Sequence, residues 1–180
     1  MKRKATSLFA VMLAGLLLLC GGTAYAAGTE AEAAGEYLRE KGVLQGDASG
    51  DLMLDKTLVR VELAAILTRV MGNPEHVAAE QAYYTGQCVY TDVPDWAKLY
   101  AGYCTAQGIM LGYGDGRFGA YDSVTPAAAC TVTLRIMELG DDGWTYDTAV
   151  AATAQAGIAP DQGFGGDAVT RGEMAVLLYR

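Results

Sequence analysis

The chain holds one histidine, three phenylalanines and four prolines in 180 residues. A single histidine excludes any site built from two imidazoles and leaves a cysteine hydrolase only His76 as its base. His76 stands in "GNPEHVAAEQ", between two patterned stretches, and no pair of carboxylates has a context that would raise a pKa for acid–base work. No catalysis and no cofactor are expected. Basic residues are scarce too: 13 Lys and Arg face 21 Asp and Glu, a formal charge of −8. That balance argues against nucleic acid or an anionic membrane as the main partner. It leaves room for an acidic ligand held by a few placed arginines. Acidic residues are plentiful but lack metal-site spacing: in "GDASGDLMLD", Asp47, Asp51 and Asp55 recur every four positions, whereas a calcium loop needs oxygen ligands at positions 1, 3 and 5 and a glycine at 6. No metal is expected.

Long apolar runs are absent as well. "LFAVMLAGLLLLC" (residues 8–20) falls short of the roughly 18 residues that a spanning helix needs. Lys2, Arg3 and Lys4 precede it and "AYA" ends at Ala26, so residues 1–26 read as a secretory signal peptide cut after Ala26. Leu19 stands before Cys20, where a lipoprotein signal wants a small residue. Cleavage leaves 154 residues (180 − 26) with ten basic residues (13 − 3) against 21 acidic ones, a charge of −11. No membrane contact is expected after cleavage. Cys88, Cys104 and Cys130 remain, at spacings that suggest no zinc site. A Cys88–Cys104 disulfide is one option outside the cytoplasm; Cys104 and Cys130 as small core residues on apolar helical faces is the preferred one.

What the chain does contain is a repeat. "LVRVELAAILTR" (58–69), "VTPAAACTVTLR" (124–135) and "VTRGEMAVLLYR" (169–180) align with Glu62, Ala128 and Glu173 in one column. Leu63, Ala129 and Met174 follow, then Ile66, Val132 and Leu177, then Leu67, Thr133 and Leu178, then Arg69, Arg135 and Arg180. These are the spacings of an amphipathic helix. In the first two copies the stripe extends to Val70 and Ile136, then to Met71 and Met137. Upstream, "AAGEYLREKGVLQG" (33–46) matches "YAGYCTAQGIMLG" (100–112), and "TAVAATAQAGIAP" (148–160) is a fainter third copy. Each reads as a short helix ended by a glycine, Gly42, Gly108 or Gly157. The unit is helix, glycine-rich loop, helix, and one such unit cannot bury its own stripe.

The stretch from Tyr90 to Gly140 resembles an S-layer homology repeat. It has a D-V-x-x-W-A opening, a G-I-x-x-G-Y-x-D-G-x-F loop and a counterpart of the T-R-A-E helix start, which "LVRVE" and "VTRGE" also match. The resemblance divides the chain into repeats at 27–72, 90–140 and 141–180, with 73–89 as a linker. It implies a mainly α fold in which three helix-loop-helix repeats form a pseudo-threefold trimer of helix pairs. It also implies secretion to the cell wall or S-layer and non-covalent anchoring there to a secondary cell-wall polysaccharide, often one bearing pyruvate ketals. The alternative is a structural or protein-binding envelope module that has lost glycan contact, with a protein partner on the cell surface. The repeats occupy the sequence after Ala26, so the chain is expected either to work through a partner or to be a fragment of a longer anchored protein.

Residue types separate builders from binders. Thr170 and Glu173 fit a capping box, and Thr125 and Glu62 hold the corresponding cap positions in their own copies. Arg60 and Arg171, at the first helical position, are expected to point outward beside helix-start amides and to grip a carboxylate with two parallel bonds. Pro126 stands where the second copy would have its arginine, which predicts a groove without a clamp there; Ala128 weakens that cap. Trp96 reads as a sugar platform or as a packing residue. Trp144 lies one residue off the same register, and the first copy has Glu30 instead. Gly112, Asp115 and Gly116 form a tight turn that presents Arg117 and plugs Phe118 into the core. Its glycines would let a ligand approach the backbone.

Overall fold

The computed structural model describes residues 29–138 and 143–180, so the expected signal peptide and the expected repeat boundary at Gly140 lie outside the described residues. The chain is mainly α. Its helices are α1 (Glu30–Glu40), α2 (Arg60–Met71), α3 (Pro74–Ala79), α4 (Gln81–Gln87), α5 (Lys98–Ala106), α6 (Pro126–Ile136), α7 (Ala149–Gln155) and α8 (Arg171–Tyr179). Single 3-10 turns at Asp95–Ala97 and Tyr146–Thr148 lead into α5 and α7. Among the described residues no sheet forms, and two isolated bridges pair Thr57 with Thr170 and Val59 with Ser123.

The helix starts follow from local chemistry. Thr29 and Glu32 bond reciprocally at the head of α1, and Thr170 and Glu173 do the same at α8. Each pair satisfies two amides that a helix end leaves without partners. At α6, Thr125 accepts from the Ala128 amide at 3.2 Å and Pro126 occupies the first turn, where a missing N–H costs nothing. At α2 the cap residue is Val59, which has no side-chain acceptor. The first helices end as the glycine column predicts: Gly42, Gly108 and Gly157 have φ of 72°, 68° and 72°, a left-handed conformation that side chains with a Cβ resist.

Segment 73–89, expected as a linker, is helical. The Asn73 side chain accepts from the Glu75 and His76 amides and Pro74 opens α3, which turns at Glu80 into α4. The α4 helix packs extensively on α5, and Tyr84 buries Tyr103 with ring centroids 5.0 Å apart. Tyr37, in the same column as Tyr103, has no such cover and stays exposed against Tyr179.

The apolar stripes meet in one core. Leu63, Ala129 and Met174 are fully buried, as are Phe118, Leu67 and Thr133 to within a percent. Val70, Met71 and Met137 are exposed, whereas Ile136 stays partly buried against the core, so the stripe ends at Leu67 in the first copy and reaches Ile136 in the second. Cys104 and Cys130 are buried free thiols and Cys88 is a half-buried one. Burial pushes the Cys104 thiol up to about 12, with the Thr68 hydroxyl opposing, so it acts as a small core residue.

The extensive pairings join different copies: α1 with α8, α2 with α5, and α6 with α7. Within a copy the loop separates the two helices. At the centre, the residues two places before each second helix bond in a closed cycle. Val124 N–H donates to Leu58 at 2.9 Å, Leu58 N–H to Val169 at 2.9 Å, and Val169 N–H to Val124 at 2.7 Å. All three side chains are fully buried, so water cannot replace these bonds.

Since α1 and α2 find their partners in the other copies, residues 29–72 alone should show a weak helical circular-dichroism signal and no cooperative melting. Two-state melting of that piece would contradict the shared core.

Candidate functional site

The two helix-start arginines do not point outward. Arg60 is 8% exposed and Arg171 7% exposed. Arg60 Nε donates to Phe118 O at 2.8 Å and its Nη2 to Leu111 O at 2.8 Å. Arg171 Nε donates to Leu52 O at 2.9 Å and its Nη2 to Gln45 O at 2.7 Å. Each arginine thus ties the loop of another copy: copy one holds the loop of copy two, and copy three holds the loop of copy one. A loop carbonyl left without a donor inside the fold would be costly, and this explains why the expected free clamp is instead a structural tie. Burial pulls the Arg171 pKa below its ordinary value; Glu62 opposes that shift and Arg69 adds to it.

Arg60 nevertheless reaches a groove. Its guanidinium lies 4.8 Å from the Tyr113 ring centroid and 5.1 Å from that of Phe118. The groove beside it holds about 370 Å³, lined by Arg60, Leu111 and Tyr113 on one side and by Thr125, Ala128, Thr131 and Arg135 of copy two on the other, with Tyr146 at its edge. Arg135 Nη1 donates to Ile109 O at 3.0 Å. Its other N–H groups have no protein partner among the described residues. Tyr113 and Tyr146 are half exposed, their hydroxyls within 3.1 Å of Asp122 Oδ2 and 3.0 Å of Thr125 Oγ1. Two cations and two phenol rings therefore converge on one cleft, with Asp122 as the acid at its rim.

The arginine that serves this groove comes from the first copy, so Pro126 does not remove its clamp as the sequence pattern implied. The replacement at Ala128 matters differently. In the first copy the same column holds Glu62, which is no cap: it pairs with Lys56 at 2.7 Å, and its Oε2 is buried without a donor among the described residues. Its charge acts on Arg171. Ala128 leaves the Arg60 groove without such an internal carboxylate. Glu173, by contrast, is saturated by the amides of Thr170 and Gly165.

The remaining sequence candidates divide. Trp96 is 56% exposed on its 3-10 turn, its ring 6.4 Å from Tyr100, outside the Arg60 groove. Trp144 is half-buried against the core. Gly112 is required by its own chain: a Cβ there would sit 2.4 Å from both Arg117 O and the Tyr90 ring. That space is filled by the chain itself, whereas a Cβ at Gly116 would meet nothing within 4 Å. Arg117 is turned onto Asp115, with Nε 2.9 Å and Nη2 2.8 Å from Oδ2. The Arg117 bonds hold the Asp115 carboxyl below its usual range.

Three groove residues carried no sequence signal as binders: Tyr113, Tyr146 and Arg135. Arg135 was legible only as the closing residue of a repeat column. Asp92, the first residue of the D-V opening, was missed as a loop clamp. Its Oδ1 accepts from Phe118 N at 2.7 Å and its Oδ2 from Gly119 N at 2.8 Å and Ala120 N at 3.0 Å. Burial raises its pKa, yet these backbone bonds outweigh it and the net shift is downward.

This loop and clamp coincide with a known domain. An S-layer homology domain matches residues 89–125, a span that contains Asp92, α5, the turn to Phe118 and the cap Thr125. The chain is similar to the middle cell wall protein of Brevibacillus brevis, 27% identical over 145 residues, which are 78% of this chain and 13% of that protein. It is 31% identical over 97 residues to a cellulosome-anchoring protein of Acetivibrio thermocellus, 53% of this chain and 21% of the relative. It is 30% identical over 96 residues to cell surface glycoprotein 1 of the same organism, 52% of this chain and 4% of the relative. The chain thus spans about a fifth or less of these relatives.

Asp92→Ala should lower stability by about 2–3 kcal/mol through three abandoned loop amides. Because the folded pKa of Asp92 is depressed, its contribution is present above the unfolded value near 4 and is lost as pH falls through the lower folded value. Urea unfolding across acidic pH should therefore show a steeper loss for the parent than for Asp92→Ala.

Proposed function

We propose that this protein is a non-enzymatic module of the bacterial cell wall or S-layer, held there non-covalently by a carboxylate-bearing wall polysaccharide in the groove of Arg60, Arg135, Tyr113 and Tyr146. The observation that carries this reading is the convergence of two guanidinium groups, with no acid on the α6 wall, in a chain of formal charge −8. The S-layer homology domain and the names of the cell-wall, surface and anchoring relatives support the wall as the location. A carboxylate on a sugar, such as a pyruvate ketal, suits a planar guanidinium. The exposed phenol rings suit the C–H face of the sugar ring. Arg60 is partly engaged by its two carbonyls, so Arg135 supplies most of the free donors. Trp96 offers a second stacking face beside Tyr100, away from this groove.

A second reading, a structural or protein-binding module without glycan contact, has one observation in its favour: Arg171 spends its guanidinium on loop carbonyls, and Glu62 sits close enough to bias its charge. It applies to that part of the fold and leaves the Arg60 groove open.

Arg135→Gln should weaken binding to wall sacculi by about 1.5–3 kcal/mol, the range for hydrogen bonds to charged groups. Tyr146→Ala should cost about 1 kcal/mol through the lost ring face. Arg135→Gln also loses the bond to Ile109 O and Tyr146→Ala the one to Thr125 Oγ1, so melting temperatures should fall by a few degrees, and binding is compared per folded molecule. Sedimentation with intact sacculi, with sacculi stripped of secondary polymers, and with polymer freed of its acidic ketals distinguishes the readings. Equal binding of parent and variants to all three preparations would overturn the glycan groove.

A further inference from the structure

The closing arginines of copies two and three bond to their own loops: Arg135 to Ile109 O at 3.0 Å and Arg180 to Ala159 O at 2.7 Å. Arg69, in the same column of copy one, does not. Its guanidinium lies 5.6 Å from the Tyr100 ring centroid and, among the described residues, takes part in no hydrogen bond or ion pair. Every other described arginine has such a partner. Arg69 is also only partly exposed. The Tyr100 ring face and the C-terminal end of α2 both favour its charge, but its N–H donors have no acceptor among the described residues, which makes it a place for an outside anion.

The cavity it faces exists because of the helices inserted after copy one. Pro74, Val77 and Ala78 of α3 close a pocket of about 330 Å³ against the ends of α1 and α2 and against Leu99 and Tyr100 of α5. Lys41 stands on the same rim, 5.4 Å from the Tyr37 ring. No acidic residue lines the pocket among the described residues. Its floor is apolar, and the Thr68 hydroxyl is already committed to Ala64 O at 2.8 Å. The C-terminal ends of α1 and α2, capped by Lys41 and Gly72, add partial negative charge. That field works against any anion, and most against a dianion such as inorganic phosphate, whereas a monoanion with an apolar body meets the least of it while engaging the cations and the floor together.

We propose that the pocket between α3 and the ends of α1 and α2 binds a small organic monocarboxylate with a compact apolar body, with Arg69 as its anion donor. The site shares no residue with the Arg60 groove, so it stands or falls separately from the glycan reading.

Calorimetric or NMR titration of the chain with 4-methylpentanoate, 4-methylpentanamide and inorganic phosphate tests it. The carboxylate should bind roughly tenfold or more tightly than the amide, as a charge-assisted bond requires, and phosphate should bind more weakly than the carboxylate. Arg69→Gln should erase the acid–amide difference, Ala78→Phe should obstruct the mouth and weaken both, and Tyr146→Ala in the other groove should change neither. Equal affinity for acid and amide, no binding of the acid, a stronger response to phosphate, or a preference that survives in Arg69→Gln would each overturn the assignment. If Arg69→Gln fails to fold, Ala78→Phe decides, and unchanged carboxylate affinity in that variant would count against the pocket.

Discussion

The closed cycle of backbone bonds among Leu58, Val124 and Val169 is the constraint on which the rest depends. Each of these residues both donates to one copy and accepts from another, and each is sealed from water by its own apolar side chain. Removing any one segment would leave a donor in one neighbour and an acceptor in the other buried and unpaired, a cost of about 1–3 kcal/mol per group. The cycle also fixes where each second helix starts, because α2, α6 and α8 all begin two residues further on. From that start, Arg60 and Arg171 are aimed at the loop of another copy rather than at solvent.

The groove is a by-product of the same arrangement. It lies where the Arg60 tie, the copy-two loop and α6 come together, so its cations are supplied by two copies and neither copy contains the site alone. Glu62 and Ala128 show how one column can set opposite characters. A carboxylate in that column acts on Arg171 of copy three, whereas a methyl group puts no internal carboxylate beside Arg60 and Arg135. The insertion at 73–89 works by a different principle. Its helices cover Tyr103 and wall off a pocket beside Arg69, a pocket that the helix-loop-helix unit by itself does not create.

Much of the fold was legible because its signals are local. The stripe of Leu63, Ala129 and Met174, the left-handed glycines at 42, 108 and 157, the Thr170–Glu173 box and the buried Phe118 all follow from spacing and from what each residue type can do within a few neighbours. Sites were less legible because they depend on which carbonyl or ring lies across an interface. An arginine at a helix start looks the same whether it meets a ligand or the Phe118 carbonyl. Glu62 resembles its counterpart Glu173 in the sequence, yet Val59 before it provides no hydroxyl, and the carboxylate turns to Lys56. The α3 helix did carry a signal in Asn73-Pro74, a cap followed by a first-turn proline, but it was short and had no apolar period. Tyr146 became a groove residue only through the approach of its 3-10 turn to Thr125.

Native-state amide hydrogen exchange at Leu58, Val124 and Val169 tests the shared unit most directly. If the cycle closes the fold, all three amides should exchange only through global unfolding, with equal opening free energies that match the denaturant-derived stability. An amide among the three that opens well below the others would mean that its segment detaches independently, and that the groove does not require all three copies to be in place.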